Sequence, residues 1–316
     1  MTTRLVLVVG DGPAGCAAAI AVARAGCRVR MIGRGRVRAA PECVSAGALR
    51  LLDWLAPGMV TQAQAWLDPG PGADGARVAI RGHFDEGLRA EAQRAGVDYL
   101  RMAAAELDPH AAGGRIVGEP WSCSLHDVGE PIVIDASGVN GWLRRALALA
   151  ESVDSRPLWL RRGFARLDTE LASDDGRAYW RMTNQGWLWI RHAASGHVWT
   201  ALTATRHGDI PWPQGAAPVG RVWRECRHWR RLQCPAGPGY FVCGDAAGYL
   251  DPATGDGLRF ALESGLRAGG LAAAVVSAPA RASLSAALYA DWAEQTWLVG
   301  KAVLAETYAG AGLRVD

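Results

Sequence analysis

A chain of 316 residues, half of them hydrophobic and 21% charged, has the length for one large or two ordinary domains and the composition of a globular protein. A net charge of +3 is too small to argue for a nucleic-acid partner, and among 34 Lys and Arg residues Lys301 is the only lysine. No stretch of about 18 residues is uniformly apolar, so no stable membrane insertion is expected.

The first apolar run, RLVLVV at 4–9, reads as a buried strand. The glycine turn GDGPAG follows at once, which excludes a signal peptide. Residues 13–25 are alanine-rich and helical, with Gly26 as the residue that ends them. CRVRMI at 27–32 is a second strand, so strand, glycine turn, helix and strand make a βαβ unit. SAGALRLLDWL at 45–55 is an amphipathic helix, and WLDPGPGADGA at 66–76 is a loop. That loop repeats the GxGxxG spacing from Gly70 to Gly75, but it follows no strand and opens no helix, so the spacing carries no weight there. RVAIRG at 77–82 is a strand, 83–95 a helix, VDYLRMAAAEL at 97–107 a strand with its exit, and GEPIVIDASG at 129–138 an apolar strand ending in a glycine turn.

From about 156 to 235 apolar, aromatic and polar residues alternate, and NQG and ASG mark hairpin turns of an antiparallel sheet. Eight of the 14 tryptophans lie here, at 159, 180, 187, 189, 199, 212, 223 and 229. Tryptophans at i and i+2, such as Trp187 and Trp189, line one face of a strand and read as core at least as well as substrate contacts. WRECRHWRRL at 223–232 reads as a solvated helix face with its tryptophans buried, or as a partner surface. GYFVCGDAAG at 239–248 returns to a buried strand; 255–275 is a long helix and 281–310 is mostly helical. Nucleotide-fold pieces at both ends enclose a sheet.

The seven cysteines (16, 27, 43, 123, 226, 234, 243) show no CxxC spacing and read as reduced thiols of a cytoplasmic protein. The seven histidines show no HxH or HxxxH spacing, so no metal site is expected. His192 and His197 flank a hairpin of the central sheet and are acid/base candidates.

In GDGPAG, Gly10 permits the tight turn, Gly12 lets a pyrophosphate approach the backbone, and Gly15 lets helix and strand pack closely. Pro13 and Ala14 open the helix, whose free N–H groups favour an anion. Such a unit ordinarily carries an acid at the end of the second strand, to hold a ribose. Here Gly33 stands in that place, followed by Arg34. Arg34, Arg36 and Arg38 could read an NADP 2′-phosphate; alternatively the ligand is FAD, its ribose held by another group, backbone or water. The second glycine-aspartate segment, GDAAGYLDPATGDG at 244–257, favours FAD. Gly244 and Asp245 end a strand where a carboxylate can meet a ribityl chain. Asp251 and Pro252 begin a turn, and Gly255, Asp256 and Gly257 open a helix whose N-terminus suits the pyrimidine end of a flavin.

These segments resemble those of the class A FAD-dependent monooxygenase superfamily. GDGPAG is similar to its pyrophosphate loop; PECVSAGALRLL at 41–52 resembles its Glu-Ser segment and would put Glu42 near the flavin, as a catalytic candidate beside His192 and His197; RGHFDEGLRAEAQRAGV at 81–97, beginning at Arg81, and the later segments IDASG and GDAAGYLDPATGDGLRFALESG complete the likeness. The resemblance implies an α/β protein: an FAD-binding Rossmann-like domain of the p-hydroxybenzoate hydroxylase type, with an inserted antiparallel β-sheet substrate domain. Residues 1–60, 78–155 and 236–275 would form the FAD-binding domain, 61–77 and 156–235 the substrate-domain sheet, and 276–316 C-terminal helices.

The resemblance also implies FAD as cofactor, with NAD(P)H or a partner reductase as electron source, and hydroxylation of an electron-rich aromatic carbon. The chain is short for the superfamily. An open site would suit a side chain of a peptide or partner protein, as in the LodB-like and QhpG-like hydroxylases of cofactor maturation. DPATGDG resembles the geranylgeranyl reductases, so an ene reductase is the alternative; Gly33 motivates a third reading, a flavin-binding maturation chaperone without turnover. The halogenase branch uses a lysine downstream of the first motif and a WxWxIP segment. GWLWIRH at 186–192 lacks that proline and Lys301 lies in the C-terminal tail, so halogenation is not expected.

Overall fold

The computed structural model describes residues 5–36, 40–60, 66–67, 74–103, 131–167, 178–193 and 196–315. The four residues of strand β1 (Val6–Val9) are all buried because both faces of their sheet are covered. β1 lies between β2 (Val29–Gly33) and β6 (Ile132–Asp135), parallel to both, with Val6 opposite Val29 and Ile132. β5 (Asp98–Arg101) extends the sheet beyond β2, and β15 (Tyr240–Val242) with β14 (Ala236–Gly237) beyond β6; β14 alone runs antiparallel.

Alternate residues of β1 enter two cores, as the period of a strand requires. Val6 and Val8 face helices α1 (Pro13–Arg24), α2 (Ala46–Leu55), α4 (Arg81–Arg94) and α6 (Gly257–Ser277); Leu7 and Val9 face Trp142 and Leu143 of α5 (Trp142–Ala146) and the Ala246–Ala247 turn. A short helix α3 (Pro57–Val60) follows α2. The βαβ unit is as the sequence predicts. The segment before α2 instead contains a strand that the sequence reading omits: β3 (Pro41–Val44), paired antiparallel with β4 (Arg77–Ile80).

The middle of the chain forms a five-stranded antiparallel sheet in the order β12-β8-β11-β10-β9, made of β8 (Leu158–Leu167), β9 (Tyr179–Thr183), β10 (Gly186–Ala193), β11 (Gly196–Thr203) and β12 (Ala216–Arg227). β7 (Glu151–Val153), β13 (Arg230–Leu232) and β16 (Gly248–Tyr249) make a separate three-stranded sheet. The reading of 223–232 as a helix face is therefore incorrect. Residues 223–227 pair with Arg162–Leu158 of β8 and residues 230–232 with β7. Three of its arginines are matched to acids, Arg227 to Glu225, Arg230 to Glu151 and Arg231 to Glu294, while Arg224 is exposed, and strand pairing overrides a helix-like composition.

Helix α7 (Ala282–Gly310) joins the two regions. Tyr289 and Ala293 lie in the nucleotide-fold core; Trp297, Leu304 and Tyr308 pack with Leu158, Leu160, Trp187 and Leu202 of the five-stranded sheet. Trp187 thus proves to be core, and Trp189 packs partly buried beside it. Among the described residues no helix is long and apolar enough to cross a membrane. The Gly70–Gly75 spacing, the exit of VDYLRMAAAEL beyond residue 103, and His110, Cys123 and His126 lie wholly or partly outside the described residues.

Candidate functional site

The three glycines of the first turn have different neighbours. Gly10 has φ +119°, and a β-carbon there would lie 2.1 Å from the Ala136 carbonyl oxygen; at Gly15 it would lie 1.9 Å from the Gly10 carbonyl oxygen. Packing within the protein therefore dictates both. At Gly12 a β-carbon would meet nothing within 4 Å, and φ is −83°, so nothing in the protein itself requires glycine there. An open backbone surface just before a helix is what the close approach of a phosphate needs. The first bond of α1 runs from Cys16 N–H to Gly12 C=O, so the N–H groups of Ala14 and Gly15 precede the helical ladder. Among the described residues of α1 no side chain caps this end.

The second glycine-aspartate segment folds against the same helix start. A β-carbon on Gly244 (φ +60°) would lie 2.9 Å from Ala14 Cβ, and the Gly244 N–H donates to Ser264 Oγ at 2.9 Å. Gly265 and Gly269 bring α6 onto α1 so closely that β-carbons there would lie 2.2 Å and 2.4 Å from the carbonyl oxygens of Ala14 and Ala18. Ser45, which caps α2, lies at the Gly255 turn, and Gly47 abuts the Arg259 side chain. A β-carbon on Gly257 at the α6 N-terminus would again meet nothing within 4 Å. The turn before α1, the Gly244–Ala246 turn, the start of α6 and the start of α2 are thus neighbours, with open space at Gly12 and Gly257.

Charged side chains line this region from the sheet side. Glu42 on β3 is bound by Arg162 of β8 at 2.9 Å and by Arg81 of α4 at 3.4 Å. Arg81 also pairs with Asp85 at 3.1 Å, and Arg162 lies 3.7 Å from Glu225. Burial by itself would raise the Glu42 carboxyl, but the Arg162 and Arg81 guanidiniums more than offset it and hold the group below its ordinary value. Asp245 is shifted the other way: burial raises it, against the opposing pull of Arg81 and Arg230. Arg162 Nε and Arg230 Nη1 are buried without a hydrogen-bond partner.

Several expected site residues are distributed differently from their order in sequence. The Asp251 carboxylate turns inward and accepts from Trp229 Nε1 (2.7 Å), Tyr308 Oη (2.6 Å) and the Ala253 N–H (3.1 Å); Trp187 Nε1 in turn donates to Tyr308 Oη at 2.8 Å. In the 251–257 turn, Asp256 pairs with Arg259. Arg34 is exposed, and its carbonyl accepts from Arg101 Nε at 3.2 Å. His192 and His197 stand opposite each other across β10 and β11, their rings 5.3 Å apart and edge to face; burial and the neighbouring His192 lower His197. His197 pairs with Ala165, three residues along β8 from Arg162. Because successive side chains alternate between faces, the histidine pair projects from the face opposite Arg162 and Glu42. The structure brings the two histidines to each other but not to Glu42. Among the described residues no group of His, Cys, Asp and Glu is arranged to hold a metal ion.

Sequence reading passed over Asp11, between the first two glycines. Its carboxylate reaches across to the end of β2, where Oδ2 accepts from the Gly35 N–H (2.8 Å) and Tyr99 Oη (2.8 Å) and lies 3.8 Å from Arg89 Nη1. A β-carbon on Gly33 would fall 2.1 Å from Asp11 Cγ. The coincidence of an acid at 11 with glycine at 33 was a usable signal. Arg162 had none, since only the pairing of β8 brings it to Glu42.

Residues 5–94 match the family described as glucose inhibited division protein A. No curated protein matches the chain in sequence. Among solved structures, the flavin-dependent halogenase CmlS superposes on 94% of the chain with a TM-score of 0.74 and 19% identity; the chain spans 63% of that halogenase. A flavin-dependent brominase superposes on 96%, covering 87% of its own length, with a TM-score of 0.77 and 18% identity. A geranylgeranyl bacteriochlorophyll reductase-like protein from Thermoplasma acidophilum superposes on 93%, covering 84% of its own length, with a TM-score of 0.68 and 18% identity. The chain shares their fold: a Rossmann-like sheet with a separate antiparallel sheet inserted into it.

Proposed function

From a fold shared with flavoproteins, we propose that this chain is an FAD-dependent oxidoreductase of the monooxygenase type that hydroxylates an aromatic ring. The observation that carries the reading is the pair of unfilled glycines, Gly12 and Gly257, at two helix starts packed on one another through Gly244, Gly265 and Gly269. The site fits an extended dinucleotide. The N–H groups of Ala14 and Gly15 would hold its pyrophosphate, Asp245 the ribityl chain, and the α6 N-terminus the electron-rich end of the ring. Bound FAD would supply the redox and oxygen chemistry. The protein's part is to position the ring and keep water away. Glu42, held ionised between two guanidiniums, is suited to anchoring β3 against α4 and β8 rather than to donating a proton at neutral pH.

Titration with FAD tests the reading. The protein should acquire a bound-flavin spectrum. Gly12→Val, which the open space and extended backbone at that position tolerate, should fold normally and lose binding. Absence of binding by the wild-type protein at high-micromolar FAD would reject the proposal.

At the finer level the substrate is an aromatic side chain of a peptide or partner protein, a reading supported by the motif likeness to the superfamily that includes the maturation hydroxylases. With free tryptophan or a small phenol, reduced flavin should be consumed and hydrogen peroxide released nearly one for one, because the oxygen chemistry needs a dry site. A cognate peptide should instead gain oxygen mass. Tight coupling with a free small molecule would overturn the macromolecular substrate alone. NAD(P)H and a partner reductase are to be supplied in parallel as electron sources. The ene-reductase reading has support in the DPATGDG turn and in one structural neighbour; it requires reduction of an isoprenoid double bond with no oxygen consumed. Halogenation is disfavoured although halogenases share the fold. The sole lysine, Lys301, is bonded to Asp154 and stands over the Trp297 ring. Bromide and an indole substrate should yield no brominated product.

A further inference from the structure

We infer that Asp11, within the glycine turn itself, is the residue that binds the adenosine ribose of the dinucleotide, replacing the acid that a nucleotide-binding βαβ unit ordinarily carries at the end of its second strand. The inference rests on the FAD reading above and adds to it the identity of the ribose-holding residue. A side chain at position 33 would leave the end of β2 along the Cα–Cβ direction. That space is filled: a β-carbon there would lie 2.1 Å from Asp11 Cγ, 2.4 Å from Asp11 Cβ and 2.5 Å from Asp11 Oδ1. The carboxylate missing from residue 33 is therefore present at nearly the same place, delivered from β1 rather than β2. Glycine at 33 is the consequence, since any larger residue would displace it.

The surroundings of Asp11 aim it. Gly35 N–H, Tyr99 Oη and Arg89 all address Oδ2, and Oδ1 accepts none of these bonds. An ionised carboxylate has about four lone-pair sites on its two oxygens, so Oδ1 remains able to take hydroxyl donors. The side chain keeps 15% exposure, so a ligand can reach it. It also lies one residue before Gly12, whose open backbone would hold the pyrophosphate, and the ribose is the next group along the dinucleotide. The same negative charge disfavours a 2′-phosphate, which argues against the NADP alternative that Gly33 and Arg34 first suggest.

The test compares FAD with an FAD analogue whose adenosine ribose lacks both hydroxyls, titrated against wild type, Asp11→Asn and the double variant Asp11→Gly/Gly33→Glu. A hydrogen bond to a charged acceptor is worth roughly tenfold to a hundredfold in affinity. Wild type should prefer FAD over the analogue by about that factor. Asp11→Asn should bind the analogue as wild type does but bind FAD no more tightly than the analogue. A merely structural role for Asp11 would weaken both ligands alike. The double variant returns the carboxylate to β2 in the space that Asp11 vacates, and should recover the preference. Wild type that binds both ligands equally, an Asp11→Asn variant that keeps the full preference, or a folded double variant that lacks it overturns the inference and leaves FAD binding standing. Wild type that binds neither ligand rejects the FAD reading itself.

Discussion

A β-carbon on Gly15 has nowhere to go: it would stand 1.9 Å from the Gly10 carbonyl oxygen, and even alanine must force α1 away from β1. Gly15→Ala should cost roughly 1–3 kcal/mol, as overpacking does, and weaken FAD binding with it. Chemical denaturation and flavin titration of this variant beside Gly12→Val separate the two glycines, since the second should lose binding with stability unchanged. Glu42 offers a pH-dependent case. Its carboxyl is held below the ordinary value, so its contribution is present above the unfolded value of about 4.3 and lost as pH falls through the folded value. Glu42→Gln leaves Arg81 and Arg162 without that charge and should cost about 3 kcal/mol at neutral pH. The gap to wild type should narrow below about pH 4; a gap independent of pH would show that packing, not charge, holds β3.

Two elements hold the site together. Helix α6 lies on α1 through Gly265 and Gly269, whereas Gly270, one residue on, is exposed and faces open space. Gly265→Ala should destabilise by about 1–3 kcal/mol. Gly270→Ala should instead stabilise by about 0.5–1 kcal/mol, through the ordinary helix preference of alanine. Equal effects would mean that the helix contact is looser than the geometry gives. Helix α7 is pinned by Tyr308, which donates to the buried Asp251 and accepts from Trp187. Tyr308→Phe keeps the volume but leaves Trp187 Nε1 without its acceptor and takes one of three donors from Asp251, at a cost of about 2 kcal/mol. Burial raises the Asp251 carboxyl while the Tyr308 and Trp229 bonds oppose it, and losing Tyr308 raises it further. A raised acid costs stability as pH rises from its unfolded value of about 3.9 through the folded one. The deficit of the variant should therefore grow as pH rises from the wild-type folded value to the variant's higher one, read by urea denaturation at several pH values.

For the whole molecule, bound ligand and fold are linked. The cradle is assembled from α1, α2, α6 and the Gly244–Ala246 turn, which are far apart in sequence and together only in the native state. A ligand bound there at a hundredfold excess over its Kd should stabilise the protein by about 2.7 kcal/mol. For a chain of this size that is a rise in melting temperature of about 5 °C, which thermal unfolding with and without FAD will measure. No rise at saturating flavin would mean that the site is not built by folding.

The sequence by itself determined the βαβ unit and most helices, because their signals are local: β-branched runs, an alanine-rich stretch and glycines at fixed spacing. It also determined that Gly10 and Gly12 lie in a turn that opens the helix holding Gly15, and that 244–257 is a second glycine-aspartate segment leading into a helix. It missed β3 and read 223–232 as a helix, because those strands exist through partners 33 or more residues away in sequence, Arg77–Ile80 and Leu158–Arg162. Only the tertiary structure decided how the glycines differ, since emptiness at Gly12 and crowding at Gly15 depend on neighbours from Gly10, Ala136 and beyond. It likewise decided that Glu42 is bound by two arginines, that the histidine pair lies on the other face of its sheet, and that Asp11 fills the place left by Gly33. A side chain's ionisation, aim and partners are properties of the space around it, and that space is made by segments that meet only when the chain folds.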